Sequence, residues 1–227
     1  MYCIRFLLFI LLILTPFNSF AQDDFTTYVQ PQIALNYPVV SNYSHNFAVQ
    51  QRNYLYDDSQ LDWRARQLDV VHFSKLKTSV NTSVAFGIQY RFRKNFEPDK
   101  NNELRLTQQF NKTFKPYLIR FGHRFRSEQR ITNALTTYRF RYRFALDTPL
   151  NGEQLDIGEG YFTASLESLL SVARNNVPQY DQRFSAQVGW LLYENVKLQT
   201  GVEYRFEDYT HATQNILFFL TSLVFSL

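Results

Sequence analysis

Two kinds of chemistry are written into this chain by residue type and spacing. The first is a cationic comb. In Tyr138-Arg139-Phe140-Arg141-Tyr142-Arg143-Phe144 every second residue is arginine and every residue between is aromatic, and shorter copies recur as Tyr90-Arg91-Phe92-Arg93, His123-Arg124-Phe125-Arg126 and Tyr204-Arg205-Phe206. A strand sends successive side chains to opposite faces, so each copy has one cationic and one aromatic face, where a helix would mix the two. Rows of guanidinium groups of this kind attract anions, as arginine rings do in anion-selective pores. The second is His72-Phe73-Ser74, which sets a histidine and a serine on one strand face as a candidate base and nucleophile.

Which solvent each face meets decides what the comb is for. Arginine turned toward lipid costs roughly 2–4 kcal/mol per residue near the bilayer midplane, so several together would exceed the whole stability of a typical domain. The arginines must therefore face bulk water or a wet lumen. We expect Arg91, Arg93, Arg105, Arg124, Arg126, Arg139, Arg141, Arg143 and Arg205 to line that lumen with Glu167 and Glu203. Two readings of such a lining stand side by side. Cross-strand ion pairs would fill a small barrel and fix its register, or a cationic constriction would favour anions. A net formal charge of only +4 argues that most of these arginines are paired. Nucleic acid is no partner for arginines enclosed in this way.

For the second motif, Val71 and Phe73 are expected on the lipid face, which turns His72 and Ser74 inward, away from acyl chains. The pair is kept as a candidate for a lipid-acting hydrolase, while the chain itself is read as no enzyme, because a nucleophile must reach its substrate. His123 reads as a girdle or lumen residue. His45 and His211 lie near loops without metal-ligand spacing, and no glycine-rich phosphate loop is present, so neither metal nor cofactor is expected.

The elements that position these residues follow from alternation of period two. Val80 to Phe92, Phe121 to Arg126 and Phe184 to Trp190 all alternate apolar with polar or small residues. Strands are expected over 27–38, 44–56, 61–74, 78–93, 102–111, 116–128, 135–147, 160–171, 181–192, 196–207 and 213–226. Several match the roughly 9–11 residues of a tilted membrane strand better than the 5–6 of a globular one. Tight connections at 75–77, 111–113 and 193–195 alternate with longer polar ones at 94–101, 129–134, 172–180 and 208–212, as short periplasmic turns alternate with longer outer loops. The connection 148–159 is long on the short side. Eleven segments conflict with the even strand number of bacterial barrels. Either the first, interrupted by Pro31 and Pro38, is no full wall strand, giving ten, or one segment conceals a pair, giving twelve. Tyr54, Tyr56, Tyr117, Tyr161, Tyr180, Tyr193 and Tyr209 fall at strand ends, where interfacial girdles form.

Residues 1–21 read as a signal peptide: Arg5 is the positive n-region, Phe6 to Leu14 the short apolar run, and Ser19-Phe20-Ala21 the cleavage site. Cleavage after Ala21 removes Cys3, the only cysteine, and with it any disulfide chemistry. The composition, with 22 Phe and 15 Tyr against 7 Gly, belongs to a two-faced chain without apolar helices. The last strand ends Leu223, Phe225, Leu227 at alternating positions, resembling the C-terminal signal by which barrels engage the insertion machinery, with leucine at the usual terminal phenylalanine.

The order of features, from Gln50-Gln51-Arg52 through Tyr90-Arg91-Phe92 and His123-Arg124-Phe125 to Tyr138–Phe144 and Thr148-Pro149-Leu150-Asn151-Gly152, resembles the outer-membrane barrels of Bacteroidota grouped as domain of unknown function 2490. The resemblance spans nearly the whole mature chain and implies a barrel and an outer-membrane address, with no catalytic residue. The expectation is an all-β chain: residues 22–227 form an antiparallel up-and-down transmembrane barrel of about 10–12 strands, with outer-membrane lipid and the insertion machinery as partners. A lipid-acting hydrolase and a soluble secreted β-sandwich binding module are the alternatives.

Overall fold

The computed structural model describes residues 25–227. The expected signal peptide and its cleavage site after Ala21 lie outside the described residues. Twelve strands follow one another without a helix: β1 (Phe25–Val40), β2 (Tyr43–Asp57), a two-residue β3 (Gln60–Leu61), β4 (Ala65–Lys77), β5 (Thr82–Phe92), β6 (Glu103–Phe114), β7 (Arg120–Ile131), β8 (Thr136–Pro149), β9 (Gly160–Ala173), β10 (Gln179–Tyr193), β11 (Val196–Glu207) and β12 (Gln214–Ser226). Among the described residues no helix is long and apolar enough to cross a membrane.

Each long strand pairs with its neighbours in sequence, and β1 closes the sheet by pairing with both β2 and β12. β3 only folds back on the end of β2. The wall therefore has eleven strands, within the expected 10–12, and neither way of reaching an even number, ten or twelve, holds. Strands that alternate in direction around an odd wall leave the first and last running the same way, so the β1–β12 ladder is parallel, from Phe25↔Asn215 to Asn36↔Ser226, while the other ten ladders are antiparallel. β1 is a full wall strand despite its prolines. The outward-facing Pro31 falls where bridge pairs to β2 are interrupted between Val29↔Asn53 and Gln32↔Gln50, and Pro38 falls beside a register shift, the positions at which a residue without an N–H fits a sheet.

Two expected turns move. Lys75-Leu76-Lys77 and Asn111-Lys112-Thr113 end β4 and β6 instead of breaking them, and the reversals fall at 78–81 and 115–119. Polar tails continue the ladders there, as in Thr82↔Lys112 and Lys77↔Ser83, because backbone pairing carries on after the apolar alternation stops. The expected strand 61–74 resolves into β3 and β4, and the β2–β4 ladder shifts register where Arg52↔Gln67 gives way to Asn53↔Ala65. A single closed sheet also excludes the two-sheet sandwich.

The faces segregate as alternation requires. Outward positions carry large exposed apolar groups: Val70, Phe86, Phe110, Phe125, Phe140 and Phe184 are each 40–54% exposed. Among the described residues one apolar cluster is buried: Tyr28, Tyr54, Ile216 and Phe218, inside the barrel beside the parallel seam. Tyr54 and Tyr161 are thus inner-face residues, the second lying against Gly189, whereas Tyr117, Tyr180, Tyr193 and Tyr209 are exposed as a girdle requires.

Candidate functional site

The charged residues of the comb strands are buried or half-buried, and register brings acids beside them. Asp69 on β4 stands opposite Arg91 on β5, which stands opposite Glu103 on β6. Glu128 opposes Arg139 across β7–β8, and Glu167 on β9 is flanked by Arg143 and Arg183. The resulting network runs round the inside of the barrel. Arg91 donates through Nε and Nη2 to the two oxygens of Asp69, both at 2.8 Å, and Gln67 holds the same carboxylate at 3.0 Å. Glu103 accepts from Arg105, and from Arg130 at 3.1 Å. Glu128, 2% exposed, has Arg130 and Arg141 at 3.5 Å and Arg105 at 3.8 Å. Glu167 accepts from Arg141 at 2.5 Å, Asp181 lies 3.6 Å from Arg139, and Glu203 and Glu207 hold Arg205 at 2.6 and 3.5 Å. Carboxylates this deep are tolerable only with cations at hand.

Of the residues expected to act together, Arg91, Arg105, Arg139, Arg141, Glu167, Glu203 and Arg205 join this network. Arg124 and Arg126 lie in the same wall but form no ion pair among the described residues, donating to Asn111 and Gln109 at 2.9 and 3.0 Å. Arg143 is likewise without an ion pair and borders a separate inner cavity of about 320 Å³ with Asp147 and Gln187. Arg93 lies past the end of β5 and binds Glu97 in the loop 93–102 at 2.5 Å. That loop folds over one end of the barrel, where the Tyr54 hydroxyl donates to Glu97 at 2.7 Å. Burial pushes the Glu97 carboxyl upward, but the hydrogen bonds from Tyr54 and Arg93 and the charges of Arg93 and Arg66 outweigh it and hold it below the ordinary carboxylate range.

Sequence reasoning missed Asp69, Arg130 and Glu97 as partners. Asp69 was readable as an acid sharing a face with Val71 and Phe73, the reverse of what a lipid face tolerates. Arg52 was missed too, and it reaches the network from β2, donating to Gln30 at 3.0 Å with its guanidinium carbon 4.7 Å from the Phe218 ring centre. Arg205 covers the same ring from 3.8 Å.

The same reversal corrects the second motif. Phe73 lies on the inner face, its ring 5.3 Å from the Arg126 guanidinium and filling the space over Gly87. His72 and Ser74 therefore point outward, not inward. There they meet His45 of β2, whose Nδ1 is 3.0 Å from His72 Nε2 and 3.3 Å from Ser74 Oγ, while Phe47 stacks on His72 at 4.7 Å. His45 stands 27 residues before His72, and only the pairing Phe47↔His72 and His45↔Ser74 brings them together. Ser74 opens onto an outer groove of about 980 Å³ lined mainly by carbon, including Tyr43, Phe86, Phe110, Phe140 and Leu170. Among the described residues no cluster of three or more metal-ligating side chains occurs.

Compared with known families, residues 31–215 match the one described as Protein of unknown function (DUF2490). The chain belongs to that family. No curated protein matches it. The stretch matched to DUF2490 runs from within β1 into β12, so the whole ion-pair network of this DUF2490 barrel, from Asp69 to Glu207, falls inside the family's own span.

Proposed function

We propose that this chain is an integral outer-membrane barrel whose inside is a narrow path favouring anions, braced by its ion pairs, and not a wide pore. The observation that carries this reading is the inside-out distribution of side chains: phenylalanine, valine, isoleucine and leucine exposed around the wall, arginine and carboxylate within. Water would penalise that outer belt by roughly 25 cal/mol for every Å² of apolar surface left wet, whereas lipid accepts it. The interior is occupied by side chains, as in small barrels, and Arg52, Arg124, Arg126 and Arg143 leave it with more cation than anion. Fractionated cells should hold the protein in the outer membrane, as a band that migrates faster unheated than boiled. In planar bilayers it should pass small anions in preference to cations with steps far below those of a general porin. A soluble protein with one mobility would overturn the membrane reading, and cation preference would overturn the path.

A second reading rests on the outward His45, His72 and Ser74. We propose that this cluster cleaves acyl esters of membrane lipid. Ser74 Oγ would attack the ester carbonyl and pass its proton to His45 Nδ1, where the neighbouring His72 Nε2 shares it; the proton then returns to the departing alkoxide, and water hydrolyses the acyl-serine. The apolar groove beside Ser74 would seat the acyl chain. Release of fatty acid from phospholipid micelles by the wild type and its loss in Ser74→Ala are expected. No release by the wild type ends this reading.

A further inference from the structure

We infer that the inner cavity toward the rim covered by loop 93–102 is a binding site for a multivalent phosphate-type oxyanion. This rests on the anion-favouring interior proposed above and names its ligand. The inner cavity of about 390 Å³ is lined by eleven arginines and three carboxylates, Asp69, Glu203 and Glu207. Counting every acid within 4 Å of those arginines raises the carboxylates to eight. Arginine does not shed its proton in proteins, so three positive charges stay uncompensated in a walled space where an unpaired charge is costly.

The hydrogen-bond pattern points the same way. Arg66 Nε, Arg105 Nη2 and Arg183 Nε are buried N–H donors with no acceptor, on side chains that line this cavity. Arg105 and Arg183 are each 7% exposed. Buried donors of this kind are normally satisfied; their side chains line one cavity, where small rotations would bring them to an acceptor with several oxygens. Planar guanidinium forks fit phosphate oxygens two at a time. The volume takes one or two phosphate groups, and only Val71, Ile216 and Leu220 among its lining residues are aliphatic, which leaves no place for an acyl chain. A soluble oxyanion therefore fits and a lipid tail does not.

Two of the lining arginines make the test clean. Arg52 and Arg126 form no ion pair among the described residues, so Arg52→Gln and Arg126→Gln strand no carboxylate. In an anion-free barrel either change would relieve repulsion and leave stability equal or higher. The detergent-solubilised barrel is heated in sodium pyrophosphate and in sodium chloride of equal ionic strength, and the temperature at which its fast-migrating band is lost is read on gels. Pyrophosphate should raise that temperature saturably, on the order of 5 °C for the wild type at a hundredfold excess over Kd, and each variant should need about tenfold more or lose the effect. A wild type indifferent to pyrophosphate, or variants that respond as it does, would overturn the site. Absence of the fast band in chloride instead refutes the closed membrane barrel, so the two failures are told apart.

Discussion

Asp69 and Arg91 stand directly opposite each other on β4 and β5 and close a two-point fork, both contacts at 2.8 Å, with the carboxylate only 1% exposed. β4 is the wall strand with the poorest apolar alternation, and this fork fixes its register. Asp69→Asn should therefore destabilise the barrel by about 3–5 kcal/mol, because it strands a buried guanidinium. Asp69→Leu combined with Arg91→Met should recover most of that loss. Urea unfolding of barrels folded into lipid vesicles reads both.

The two faces of β8 predict opposite tolerances. Phe140 is half exposed on the outer belt, and Phe140→Arg should cost about 2–4 kcal/mol in a lipid-embedded barrel. In lipid-free detergent micelles the cost should shrink, since detergent reorganises around a charge more easily. Equal costs in the two media would argue against a lipid-facing belt.

Glycines separate soft from hard crowding. A Cβ at Gly201 would lie 2.2 Å from the Ala186 carbonyl oxygen and 2.5 Å from Gln187 Cα, both backbone. At Gly87 the atoms it would meet first all belong to the Phe73 ring, the nearest at 2.3 Å, and a ring can turn aside. Gly201→Ala should abolish folding or cost about 3 kcal/mol or more, while Gly87→Ala should cost about 1–3 kcal/mol and be partly rescued by Phe73→Leu. Refolding yields and urea midpoints decide.

Glu97 predicts an acid-sensitive cap. Its carboxyl is held below the ordinary value of 4.5, so its contribution is fully present above that pH and is lost as pH falls through the lower folded value. Limited proteolysis of loop 93–102 should accelerate below about pH 4, and Glu97→Gln should be cleaved at neutral pH as the wild type is in acid, a loss of roughly 1.5–3 kcal/mol from a charged hydrogen-bond pair.

The chain announces its wall plainly, because an arginine-aromatic comb can be satisfied only by a strand with two different solvents. That logic placed Arg91, Arg105, Arg139, Arg141, Glu167 and Arg205 in one network. It failed where local pattern was ambiguous. In β4 the run Val70-Val71-His72-Phe73 is apolar on both faces, and the decision between them comes from Asp69 and Gln67 seeking Arg91, a partner 22 residues away. Choosing Phe73 for the outer face reversed His72 and Ser74 and hid His45. The strand number was legible in the eleven segments, but parity argued against it. The parallel ladder between β1 and β12 that makes an odd wall possible is a long-range pairing that no local alternation encodes.

That ladder also constrains re-engineering of the chain. Phe25 and Ser226 emerge at opposite rims, because β1 and β12 run side by side in the same sense through twelve paired positions. In an even-stranded barrel the ends sit at one rim, and a turn of two or three residues suffices for circular permutation. Here a linker joining the ends must travel the full height of the wall, so a permutant that keeps all eleven strands needs a connector of at least about nine extended residues. Splitting the chain at a hairpin and reassembling the two halves avoids that crossing entirely.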